Sequence, residues 1–113
     1  MLTTVAETPE YLRCAGRLLS AAERSQIVDF LAARPKTGDL MQGTGGVRKL
    51  RWARGGRGKS AGVRVVYYYH SEALPLYPLT VFGKSEKANL TKAERNELAA
   101  LVAMLKAGAE RRA

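Results

Sequence analysis

Between Val47 and Arg64 the sequence carries seven basic side chains, Arg48, Lys49, Arg51, Arg54, Arg57, Lys59 and Arg64, and no acid. An arginine guanidinium stays charged and grips two phosphate oxygens at once, while lysine adds a compact charge on a flexible stem. Such a set suits the backbone of a nucleic acid. The whole chain has 19 Lys+Arg against 10 Asp+Glu, a formal charge of +9. Its acids, among them Glu7, Glu10, Glu23, Glu94, Glu97 and Glu110, sit mostly near the two ends. That layout steers a polyanion toward one region of the surface. The plainer reading is a solvated charged face, in which Lys49, Arg51 and Arg64 would be interchangeable with Gln.

Other chemistries fit less well. Ala53-Arg-Gly-Gly-Arg-Gly-Lys59-Ser60 approaches a phosphate-loop pattern, but that motif needs a helix to begin at its Lys-Ser. The residues that follow, Ala61-Gly-Val-Arg-Val-Val-Tyr67, favour a strand. The segment reads instead as a basic hairpin loop whose Arg54, Arg57 and Lys59 touch backbone phosphates. Cys14 is the only cysteine and His70 the only histidine, 56 positions apart. They do not supply a metal site, and no carboxylates converge on the basic run for a two-metal mechanism. The expectation is chemistry without metal or cofactor. His70 reads as a strand-end residue and Cys14 as a buried thiol. Among Tyr67, Tyr68 and Tyr69, strand neighbours face opposite ways. Tyr67 and Tyr69 share a face with Val63 and Val65 and read as core. Tyr68 shares its face with Arg64 and is the candidate for stacking on a base.

The elements that must hold these side chains are legible from pattern. Thr8-Pro9-Glu10 starts a helix with a capping hydroxyl, a proline in the first turn and an early acid. Ser20-Ala-Ala-Glu23 is a capping box opening a second helix that ends before Pro35. Residues 35–46 read as loop, and residues 2–6 as a short leading strand. Strands are expected at 47–53, 63–70 and 76–82, the first placing Lys49 and Arg51 on one face and Leu50 and Trp52 on the other. Thr91-Lys-Ala-Glu94 is a further capping box, opening a helix with Leu98, Leu101, Val102 and Leu105 on one side and fraying from Gly108. The 113 residues are expected to make a single α+β domain: two N-terminal helices, a twisted antiparallel sheet of three to four strands, and a C-terminal helix packed on the sheet. No segment looks like a leader or a membrane span, so a cytoplasmic protein is expected.

Three blocks in this order, Gly43-Thr-Gly-Gly-Val-Arg-Lys-Leu-Arg51, Gly62-Val-Arg-Val-Val-Tyr67 and Leu79-Thr-Val-Phe-Gly-Lys-Ser-Glu-Lys87, resemble the RelE/ParE toxin superfamily, most of all its HigB-like branch with a glycine-rich loop. The resemblance runs from the paired helices to the last helix. It implies a type II toxin: a metal-independent endoribonuclease that cuts messenger RNA, commonly on the ribosome, inhibits translation, and is neutralised by a cognate antitoxin. The two alternating basic residues of the RelE pattern fall on Lys49 and Arg51, and its strand-opening arginine on Arg64. Its Gly-Lys-Arg falls on Gly83-Lys84-Ser85, so the arginine is missing. Its later tyrosine position falls near Thr91, a helix cap. Lys84 and Lys87 are left to stand in for the absent groups.

Metal-free cleavage of RNA uses the ribose 2′-OH as nucleophile, in line with the leaving 5′ oxygen. In such a reaction Arg64, helped by Arg51, would stabilise charge on phosphorus. Lys49, crowded by Arg48 and Arg51 in sequence, would serve as general base, and Lys84 or Lys87 would protonate the leaving group. Arg48, Arg54, Arg57, Lys59 and Tyr68 would bind RNA. Two other functions share the composition: a ParE-like inhibitor of DNA gyrase, which has no need of a backbone-gripping cluster, and an RNA-binding module without catalysis, suggested by the missing arginine and tyrosine.

Overall fold

Two stop-and-start signals set the N-terminal half. In the computed structural model, which describes residues 2–53, 62–84, 86–87 and 89–112 (the last four by backbone alone), helix α1 spans Pro9–Leu18 and helix α2 spans Ala21–Ala33. The Thr8 hydroxyl accepts from Tyr11 N–H and donates to the Pro78 carbonyl at 2.7 Å, so the cap that starts α1 also ties it to the sheet. Both bonds of the Ser20–Glu23 capping box are made, at 2.9 and 3.1 Å.

The sheet is antiparallel, in the order β1 (Asp39–Leu40), β2 (Val47–Trp52), β3 (Val63–Tyr68), β4 (Tyr77–Gly83). Because side chains alternate along each strand, it has two distinct faces. One packs Val63, Val65, Tyr67 and Val81 against Tyr11, Cys14, Ala15, Ile27 and Leu31 of α1 and α2. The other packs Val47, Val66, Tyr68, Leu79 and Phe82 against Leu90 and against Val102 of helix α3 (Lys92–Arg112). The three-layer arrangement is the α+β architecture expected. Among the described residues no helix is long and apolar enough to cross a membrane.

Three local expectations need correction. Residues 2–6 do not form a strand of the sheet; Val5 makes a single parallel bridge to Leu76. The fourth strand is β1, within a stretch read as loop. It is held from outside: the Arg48 guanidinium donates to the carbonyls of Lys36 and Gly38, and Gly38 N–H donates to the Tyr67 hydroxyl. The last helix does not fray at Gly108 but runs to Arg112. A glycine weakens an exposed helix by about 1 kcal/mol and ends it only when it turns left-handed, and Gly108 does not.

Candidate nucleic-acid interface

The register of β2 and β3 decides which cations meet. Arg51 lies directly opposite Arg64, and Arg64 directly opposite Phe82 on β4. Lys49, two residues from Arg51, projects from the same face. All three belong to the face that carries α3, at the end away from Val47 and Tyr68, where Val102 of α3 packs. Across an antiparallel pair, facing side chains stand about 5 Å apart at Cβ, and like charges there are destabilising. The Arg51–Arg64 pairing therefore works against stability. Among the described residues, no carboxylate comes within 4.0 Å of Lys49, Arg51 or Arg64 to relieve it.

The segment after β4 walls this surface on one side. Gly83 N–H donates to Glu86 Oε1, and the Glu86 N–H returns to the Gly83 carbonyl, closing a turn. Lys87 Nζ lies 5.5 Å from the centre of the Phe82 ring, beside Arg64's cross-strand partner. It is bonded to Glu94 Oε2 at 2.6 Å. Glu94 also accepts Thr91 N–H at 2.8 Å and completes the capping box of α3. The hydrogen bond from Lys87, then that from Thr91, holds the Glu94 carboxyl below its ordinary range. Further along, Asn89 Oδ1 accepts from Lys49 Nζ at 3.0 Å.

Arg51 and Arg64 thus face each other, Lys49 shares their face, and Lys87 lies over the Phe82 ring next to Arg64, whose Nη1 donates to the Val63 carbonyl at 3.4 Å. Lys84 is exposed in the turn just past β4, its N–H donating to the Gly62 carbonyl at 3.1 Å. Arg48 is a correction in placement: it alternates to the opposite face, where its Nη1 donates to the carbonyls that anchor β1. Tyr68 is a second. It is 2% exposed, closed in by Val47, Val66 and Val102, with its hydroxyl 3.3 Å from His70 Nδ1. Burial raises its pKa, and it offers no ring face to a base. Arg54, Arg57 and Lys59 lie outside the described residues. Sequence reasoning missed Phe82, Asn89 and the second bond of Glu94. The capping box drew attention to Glu94, but a cap says nothing about the other carboxylate oxygen.

Comparison with known proteins bears on the family and the fold. A family model described as the RelE toxin of the RelE/RelB toxin–antitoxin system matches residues 17–112. Among solved structures, a double arginine-to-alanine mutant of the E. coli toxin RelE in the free state is similar, with a TM-score of 0.55 and 17% identity over 78% of this chain and 90% of that one. At that identity the likeness is one of fold.

Proposed function

The chain belongs to the RelE toxin family, the toxins of toxin–antitoxin systems, and from that premise we propose that it is a metal-independent endoribonuclease that cuts messenger RNA in the cytoplasm, on the ribosome, and so inhibits translation. A cognate antitoxin would hold it in check. The observation that carries the reading is the facing pair Arg51 and Arg64 with Lys49 on the same side.

Two arginines on facing positions suit the non-bridging oxygens of one phosphodiester, which gain charge as the 2′-oxygen attacks. Lys49, its Nζ steadied by Asn89, takes the 2′-OH proton on its amine lone pair and afterwards releases it to water. The phosphorus–5′-oxygen bond then breaks, its electron pair going to the leaving oxygen. Lys87 supplies the proton that oxygen needs and is reprotonated from water. Lys87 is favoured over Lys84 because it stands over Phe82, next to Arg64. Losing one charge-stabilising contact of this kind costs about 3–4 kcal/mol in the transition state.

The test is purified protein with translating ribosomes in excess chelator. Truncated messenger is the expected product, and Arg64→Glu should abolish it without lowering the thermal melt. Intact messenger with wild-type protein, or full activity in a folded Arg64→Glu variant, would sink the reading.

A further inference from the structure

Glu94 makes more bonds than its place in the helix requires. A capping box needs one carboxylate oxygen for the N–H of the capping residue, and Oε1 serves there, on Thr91. The Glu94 N–H is itself fixed by Thr91 Oγ1 at 3.1 Å. With the carboxylate pinned at that end, Oε2 is left as a stationary acceptor, and Lys87 Nζ occupies it. The two side chains are only 36% and 35% exposed, so the pair is half sheltered from water. It also sits in a row. Arg51, Arg64 and Phe82 are successive partners across the sheet, and the Lys87 ammonium rests beside the Phe82 ring. A lysine on its own samples many rotamers. This one is clamped between a capped carboxylate and an aromatic ring, at the edge of the arginine pair.

We infer that Glu94 is a positioning residue for the site: it holds Lys87 in register with Arg51 and Arg64, so that the ammonium meets the leaving oxygen of a bound phosphodiester. This rests on the nuclease reading above. Glu94 itself touches no substrate. Its carboxylate stays ionised throughout, in keeping with the lowered pKa that the Lys87 hydrogen bond gives it. Losing it releases Lys87 into free rotation while removing a negative charge from the rim of a cationic surface. The chemical step should slow while RNA affinity holds or rises.

Glu94→Gln separates this role from capping, because glutamine fills the same position of a capping box. The variant should melt like wild type, lose about tenfold in kcat through misplacement of the acid, and show an equal or lower KM for a model messenger on ribosomes. In a Lys87→Met background the same substitution should add no further loss, since a residue acting only through Lys87 has nothing left to position. Ser20→Ala supplies the structural control: it should lower the melt through a lost cap on α2, away from Lys87, yet keep wild-type kcat. Wild-type kcat in Glu94→Gln, or losses that simply add in the Lys87→Met background, would overturn the positioning role and leave the nuclease standing. A wild-type protein that cuts no messenger overturns both.

Discussion

Arg51 and Arg64 face each other with like charge, an arrangement a chain selected only for stability would avoid. Replacing either with Gln should raise stability by about 0.2–1 kcal/mol while removing most cleavage activity. Parallel melts and messenger-cleavage assays check both halves, and a Gln variant that is less stable would mean the pair is relieved by a group not yet identified. Tyr11 gives a second test at this scale. It is fully buried, and among the described residues its hydroxyl has no partner. Burial, then the nearby Glu7 carboxylate, pushes its pKa up to about 12. The folded value exceeds the unfolded one, so the stability this tyrosine lends is present below about pH 10 and lost as pH rises through about 12, about 2–3 kcal/mol in all. Tyr11→Phe should melt like wild type or slightly higher at neutral pH and lose that part of the alkaline decline. At residue scale the sequence was half legible. Alternation alone put Lys49 and Arg51 on one side. Which residue of β3 would face Arg51 depends on hairpin register, and the partners of Lys49 and Lys87 lie 40 and 7 positions away, with no local pattern to reveal them.

Elements with local punctuation, the caps at Thr8, Ser20 and Thr91 and the alternating strands, stand within two residues of where the sequence put them. β1 does not, because nothing in Asp39–Leu40 makes a strand. It exists through Arg48 and the Tyr67 hydroxyl, both tertiary contacts. Gly38 must be small there: a Cβ would come within 2.8 Å of Tyr67 Cε1. Gly38→Ala should therefore free β1, seen as faster amide exchange at Met41, whose N–H is bonded to the Val47 carbonyl. The turn into β2 hangs on Thr44, fully buried, donating to the Met41 carbonyl at 2.7 Å and accepting Val47 N–H at 3.1 Å. Thr44→Val leaves a buried N–H and a carbonyl without partners and should cost about 1–3 kcal/mol by denaturant titration. An unchanged midpoint would mean the turn is held elsewhere.

At the scale of the whole molecule, α1 and α2 back one face of the sheet and α3 backs part of the other. RNA would meet the remainder. If Lys49, Arg51, Arg64 and Lys87 all converge on the scissile phosphate, that contact adds about −0.7 to the slope of log affinity for single-stranded RNA against log salt. Replacing both Arg51 and Arg64 with Gln should make the slope shallower by about that amount. A slope that does not change would place the pair outside the footprint.

The short cover that α3 gives its face has an architectural consequence. Lys49, Arg51 and Arg64 occupy rungs that, under a wider helical roof, would carry valines and be dry. Three like charges on that stretch of sheet would repel a second copy approaching it. Editing all three toward aliphatics would open a greasy window beside the core, yielding a protein that is inert toward RNA, harder to melt as a monomer, and prone to cling to its own copies.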